Sequence, residues 1–195
     1  MELLVNNEKI DVSLESEKTV GDVLKAFEAE CAKNNATTVA ICVDGKKVEA
    51  TDFDAVSQKE LEQNTKIELT IVSVSEIDNA LKMSASDFTR LAKELENVAV
   101  LIQSGKDKDV SLLIKKTADY IDNFCHIVTY ASLFPEEYGK ISIDGKSVSD
   151  FFADFSPILQ EFEGALQSKD TVLTGDLAEY ELAPRIKAIA DAIRR

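Results

Sequence analysis

Two hydrophobic periods in one chain predict an α+β protein. A mixed sheet crossed by a helix, in the order ββαββ, is expected over residues 1–74, and an antiparallel four-helix bundle with a small hairpin insertion over residues 75–195. Three observations carry this. Apolar residues alternate at Leu3 and Val5, at Ile10, Val12 and Leu14, at Val39, Ile41 and Val43, and at Ile67, Leu69 and Ile71, the period of half-buried strands. Between the second and third runs the spacing turns helical at Val20, Val23, Leu24, Phe27 and Cys31. From Val74 onward alternation nearly disappears and helical spacing takes over.

In chain order, Asn6-Asn7-Glu8-Lys9 supplies turn chemistry between the first two strands and makes them a hairpin. Thr19 stands at the N-cap of the helix with Asp22 three residues on, a capping-box variant. Asp44-Gly45 turns the third strand into residues 46–48, and a last strand at residues 67–71 follows an irregular stretch. A helix crossing a four-stranded sheet in this order resembles the ubiquitin-like β-grasp, and Thr19-Val20-Gly21-Asp22-Val23-Leu24 is similar to the helix start of small sulfur-carrier proteins. Those proteins activate a free C-terminal Gly-Gly carboxylate. Here the last strand leaves through Ile71-Val72-Ser73-Val74-Ser75 into helical sequence without Gly-Gly, so conjugation and sulfur transfer are not expected. A ferredoxin-type use would need a cysteine cluster, which the sequence lacks. The resemblance therefore implies a binding surface.

The first helix of the second half is expected from Ser86 as N-cap, with Phe88, Leu91, Leu95, Val98, Ala99 and Ile102 on one stripe, stopping at Ser104-Gly105 after a short feeder that contains Ile77 and Leu81. The second starts near Asp109 and carries Val110, Ile114, Thr117, Ile121, Phe124, Val128 and Ala131 at alternating spacings of four and three, the seam of a coiled coil, ending before Pro135. The third begins near Ser149 with Phe151, Phe155, Ile158, Leu159, Phe162 and Leu166, and the fourth near Asp170 with Leu173, Leu177 and Tyr180. Such helices favour shallow antiparallel packing. Residues 141–148 repeat the Asp-Gly hairpin chemistry of residues 41–48 with unmatched flanks, which reads as convergence on a turn and places a small hairpin between the second and third helices. Pro184 breaks or kinks the fourth helix. Beyond it Ile186, Ile189 and Ile193 fall roughly opposite the earlier stripe, so either the helix redirects into the core or these residues face something else. The segment from Lys169 to Pro184 resembles the C-terminal part of bacterial helical proteins, some associated with motility genes, which implies an accessory or chaperone-like role and transfers no active site.

Charge and composition narrow the function. The net charge of −14 divides evenly, 15 acidic against 8 basic side chains in residues 1–74 and 21 against 14 in the rest. Without a basic cluster, nucleic-acid binding is not expected, because it depends on cations that displace counterions from phosphates. The longest apolar run near a helix, residues 98–102, is far short of a membrane span, and the start at Met1-Glu2-Leu3 lacks the form of a secretory signal, so no membrane and a cytoplasmic location are expected. Cys31, Cys42 and Cys125 match neither a disulfide framework nor metal knuckles and read as reduced thiols.

His126 is the single histidine, and its place about 160° from the core stripe of the second helix leaves it without a partner for triad chemistry or metal ligation. The acidic pairs Glu136-Glu137, Glu161 with Glu163, and Asp176 with Glu179 read as solvated faces, and seven glycines never cluster as a phosphate loop requires. No catalytic residue, cofactor or metal is expected. What stands out is surplus apolar surface: Leu112, Tyr130 and Leu133 around His126 on the outer side of the second helix, and the stripe of Ile186, Ile189 and Ile193. Burying each large side chain is worth about 1.5–3 kcal/mol, so these positions should be covered, either by docking of the N-terminal domain onto the bundle or by a second copy or a partner helix, and on the second account the seven are the candidate partner-binding residues. The sequence thus points to a non-enzymatic adaptor or chaperone-like module of a bacterial cytosol that binds a protein partner or a second copy of itself. The competing reading is a small-ligand binder or enzyme with a site between the two domains, where His126, Tyr130 and Tyr180 would converge.

Overall fold

The computed structural model describes residues 1–14 and 16–194. The chain divides into two compact units, Met1–Glu76 and Ile77–Arg195, the first built on a sheet and the second helical.

In the N-terminal unit β1 (Glu2–Val5) and β2 (Glu8–Ile10) form a hairpin, α1 (Val20–Lys33) follows, then β3 (Ala36–Val43), β4 (Lys46–Lys47), a short α2 (Phe53–Ser57) and β5 (Lys66–Ser73). The strand order is β2-β1-β5-β3-β4, with β1 and β5 parallel and the other pairs antiparallel. Both two-residue turns place their central residues at positive φ, Asn6 and Asn7 at 50° and 67°, Asp44 and Gly45 at 50° and 77°. This is the geometry whose twist matches the flanking strands and which Asn, Asp and Gly adopt most readily. Leu3, Val43, Ile67 and Leu69 of the sheet meet Val20, Val23 and Leu24 of α1 in one core, with Phe27, Ile41 and Val48 packed at its margin. Thr19 caps α1 as the sequence predicts: its hydroxyl accepts from the Asp22 amide, and the Asp22 carboxylate accepts from the Thr19 and Lys18 amides. The second strand is shorter than its alternation suggests. β2 stops at Ile10, opposite Leu3, because β1 has little strand left beyond that pair, and Val12 and Leu14 lie past its end.

In the C-terminal direction helix α3 (Val74–Leu95) begins directly after β5, twelve residues before the expected N-cap at Ser86. Ser73 and Glu76 form a capping box there: the Glu76 carboxylate accepts from the Ser73 amide and hydroxyl, and the Glu76 amide donates to the Ser73 hydroxyl. The feeder carrying Ile77 and Leu81 is therefore part of α3. That helix ends at Leu95, and α4 (Val98–Gln103) starts after a break at Glu96 and Asn97. Next come α5 (Asp107–Ala131), α6 (Pro135–Tyr138), the hairpin β6 (Ser142–Ile143) and β7 (Lys146–Ser147), α7 (Val148–Ser168), which is capped by Ser147 rather than Ser149, α8 (Thr171–Asp176), a π-helical segment Leu177–Leu182, and α9 (Ala183–Ile193). Phe88, Phe124 and Phe155 are fully buried, and edge-to-face or tilted contacts chain Tyr120, Phe88, Phe124, Phe152 and Phe155 at centroid distances of 5.7–6.3 Å.

The π-helical segment corrects the reading of the last helix. The Ala183 amide donates to the Ala178 carbonyl, five residues back instead of four, so the turn holds one residue more than an α-turn. Pro184 follows at once. Its ring clashes with the carbonyl four residues earlier in a regular α-helix, and the wider turn accommodates it. Counted at a constant 100° per residue, the buried set before the turn (Thr174, Gly175, Leu177, Ala178, Leu182) and the set after it (Ala183, Ile186, Ile189, Ala190, Ile193) lie roughly 90° apart, about one residue's rotation. The extra residue cancels that lag. Ile186, Ile189 and Ile193 are each 0% exposed, and as core they offer no face to a partner. The rest of the apparent reversal lies in Leu173 and Tyr180, which are half-buried and exposed and not part of the core. Small residues share the buried face there with Leu177 and Leu182, and a Cβ added to Gly175 would stand 2.9 Å from that of Ala99 on α4.

Candidate functional site

Among the described residues of the N-terminal unit, β3 is open along part of its outer edge, as the terminal strand β2 is on the other side of the sheet. β4 pairs with β3 only at Cys42 and Val43, and the Val48 amide reaches the Ile41 carbonyl, so the outer edge of β3 from Ala36 to Ala40 has no neighbouring strand. Beside that edge lies a groove of about 760 Å³ between α1, β3 and α2. Leu24 and Ile41 form its apolar base, Phe53 rises at one side with 41% of its surface exposed, and Ala29 and Ala32 line the helix wall. A second hollow, lined by Val39, Val48, Ala50 and the shared Thr38, Ile41 and Phe53, continues it along the strand.

Local chemistry fixes each wall. Gly21 lets α1 start against α2, since a Cβ there would lie 2.9 Å from the Ser57 carbonyl oxygen. Residues 59–61 clamp the same helix start, where the Val20 amide donates to the Lys59 carbonyl and the Leu61 amide to the Lys18 carbonyl. Glu28 of α1 reaches the open strand: its carboxylate accepts from the Thr37 hydroxyl at 2.8 Å and from the Thr38 amide at 3.2 Å. This covers part of an edge that would otherwise present free backbone donors. The backbone bonds at the helix start hold the Asp22 carboxyl below its usual range. Asp44, at the turn into β4, is lowered likewise by its ion pair with Lys59 and the Lys66 amide. A carboxylate held ionised is the opposite of a general acid. Apolar walls beside backbone groups with one displaceable cap suit an extended peptide laid along β3.

The sequence-predicted residues distribute otherwise. Leu112, Tyr130 and Leu133 are exposed, and so is His126, whose Nε2 lies 3.6 Å from an Asp122 oxygen, beyond hydrogen-bonding distance. Leu112 and Tyr130 share a helix face but stand about 27 Å apart along α5, with Lys115, Asp119 and Asp122 on the exposed surface between. His126, Tyr130 and Leu133 are thus near neighbours while Leu112 is isolated. Tyr180 is exposed on the π-helical segment. Burial pushes the Cys31 thiol up, and partial desolvation with the Asp122 carboxylate does the same at Cys125, so both are protonated at neutral pH and poor nucleophiles. Among the described residues no group of three or more His, Cys, Asp or Glu side chains is placed to hold a metal ion.

A family model described as a domain of unknown function, DUF8042, matches residues 79–192, more than half of the chain. The chain belongs to the DUF8042 family. A model described as the TP0873 N-terminal domain matches residues 1–73. An uncharacterized protein of Treponema pallidum (strain Nichols) is 28% identical over 193 residues, covering 99% of this chain and 96% of that protein. No solved structure matches. The DUF8042 stretch contains the exposed cluster of His126, Tyr130 and Leu133, whereas the groove lies wholly within the segment that matches the TP0873 N-terminal domain.

Sequence reasoning missed Phe53 and Glu28. Phe53 sits in α2, five residues long and too short to show a period, inside a stretch that reads as irregular. Glu28 gives no signal, because its partners Thr37 and Thr38 come from a strand that follows the helix.

Proposed function

We propose that this protein is a non-enzymatic interaction module, an adaptor or chaperone-like accessory protein of the bacterial cytosol, and that its N-terminal unit is a ubiquitin-like β-grasp that takes an extended segment of a partner protein along β3. The strand order β2-β1-β5-β3-β4 with its parallel central pair and single crossing helix supports the β-grasp reading. A four-helix bundle for the C-terminal unit draws support from its long helical stretches α3, α5, α7 and α8 through α9 around an aromatic core. Three free cysteines suit a reducing compartment. The observation that carries the functional reading is the open β3 edge beside an apolar groove. Strand addition gains main-chain hydrogen bonds, and Phe53 and Ile41 give side-chain pockets.

No membrane contact is part of this reading: among the described residues no helix is long and apolar enough to cross a bilayer. A photo-crosslinking phenylalanine analogue placed at position 53, at position 130 and, as an exposed control, at position 180 tests it in cells. A discrete adduct from position 53, abolished when Ile41 is also changed to Asp and the chain stays folded, is the expected result. Adducts from position 130 alone would move the interface to the outer face of α5. No adduct above the control at either position would overturn the interaction reading.

A further inference from the structure

On a chain of net charge −14, one groove in the C-terminal unit is lined by cations alone among its charged residues. It measures about 430 Å³ and runs along α3, with small residues Ala85, Ser86 and Thr89 as its floor and Lys82, Arg90, Lys93 and Arg194 as its rim. The α3 positions fall at i, i+3, i+4, i+7, i+8 and i+11, so they make one continuous stripe on a single helix face. Arg194 comes from the end of α9 and is held there by a 3.2 Å hydrogen bond from its guanidinium to the Thr89 hydroxyl.

The cations are not equally free. Arg90 is bonded to Asp87 at 2.6 Å and to the Tyr120 hydroxyl at 3.1 Å, with Glu94 at 3.9 Å, and Arg194 lies 3.8 Å from Asp191. Lys82 and Lys93 make no ion pair with a described residue. They stand eleven residues apart on α3, about 16 Å, the reach of roughly five extended residues. A single phosphate or carboxylate is recognised by donors that converge on one point, as at a helix N-terminus or a backbone nest. This rim is linear, and it is bounded by carboxylates, Asp87 and Glu94 beside Arg90 and Asp191 beside Arg194. A long polyanion such as nucleic acid would meet those carboxylates, whereas a short acidic segment fits between.

We propose that the α3 groove binds a short extended acidic segment of a partner protein, with Lys82 and Lys93 engaging its carboxylates at the two ends. This site is independent of the β3 groove and stands or falls apart from it.

The test is fluorescence anisotropy of the full chain against a labelled decapeptide rich in Glu, with a single-stranded oligonucleotide of matched charge and inorganic phosphate as competitors. Lys82→Glu with Lys93→Glu is compared with Lys115→Glu plus Lys187→Glu, which makes the same change in net charge at exposed sites elsewhere. The proposal expects saturable peptide binding that weakens about tenfold or more in the first variant, stays within about twofold of wild type in the second, and falls steeply with added salt. Lys82→Gln and Lys93→Gln, each expected to weaken binding severalfold, keep the test valid should the double variant lose its circular dichroism signature. Absence of peptide binding to wild type, equal loss in both charge variants, or tighter binding of the oligonucleotide or phosphate would overturn it. Concentration-dependent mass of the unliganded chain that disappears in Lys82→Glu with Lys93→Glu would assign the groove to a second copy instead.

Discussion

Ile189 and Phe53 are both large apolar side chains outside the core stripes that the sequence predicts, yet Ile189 is fully buried and Phe53 keeps 41% of its surface in solvent. The difference lies in what the backbone does nearby. Before Ile189 the π-helical segment adds one residue to a turn and rotates the last helix until its isoleucines face the core. Around Phe53, α2 is too short and β4 too brief to close over the edge of β3, so the apolar surface stays open. Apolar residues outside the expected core stripes therefore mark open surface only where no local irregularity turns them inward.

The comparison breaks most visibly in the core. Ile186→Asp combined with Ile189→Asp should prevent the C-terminal unit from folding, and Ile189→Ala alone should cost about 3–4 kcal/mol in urea unfolding. Full folding of the double variant would mean that the stripe is surface after all. Single-residue deletions sharpen the same point. Removing Tyr180 together with Pro184→Ala should leave a folded chain, because the turn closes to a plain α-turn and the faces on both sides stay aligned. Removing His126 from the regular helix α5 should rotate Ile127 and Ala131 by about 100° and lose much of the helical signal.

Smaller effects follow at close contacts and on the open surface. Gly175→Val, which places a branched side chain against Ala99, should cost about 2–3 kcal/mol by thermal or urea unfolding. Phe53→Asp should change stability by about 1 kcal/mol or less while abolishing partner capture. A loss as large as that at Ile189 would show Phe53 to be core. The smallest effect is in acid. The Asp22 carboxyl is held below its unfolded range by the Lys18 and Thr19 amides, so its contribution is present at neutral pH and fades as pH falls through that lowered value. Asp22→Asn should therefore flatten the acid limb of the stability profile, and an unchanged limb would deny the capping role.

Where the periods are constant, the sequence already carries the architecture. The strand alternations at Leu3, Ile41 and Ile67, the cap at Thr19, and part of the expected α5 seam, Val110, Thr117, Phe124 and Ala131, are readable, whereas Ile114, Ile121 and Val128 are only half-buried and Leu113 and Ile127 complete the buried face. Asp-Gly at 44–45 and at 144–145 announces both hairpins through the positive φ that it adopts. Legibility fails where a residue acts at a distance or a helix departs from 3.6 residues per turn. Ser73 and Glu76 start α3 well before Ser86, a capping box hidden because strand alternation runs straight into it. The π turn before Pro184 has no hydrophobic signature of its own, and part of the helix face there is Gly175 and Ala178, too small to weigh in a hydrophobic count beside Leu177 and Leu182. The groove's lining residues are separated by up to 39 positions, from Thr19 to Gln58, so no local pattern contains it.

Hydrogen exchange of the full chain with and without the partner captured through position 53 tests the central claim most directly. Docking along β3 predicts that amides of residues 36–41 slow by about tenfold or more on binding, with further protection in α2. Unchanged exchange at those amides, with protection confined to residues 126–133 of α5 and its C-terminal end, would contradict it.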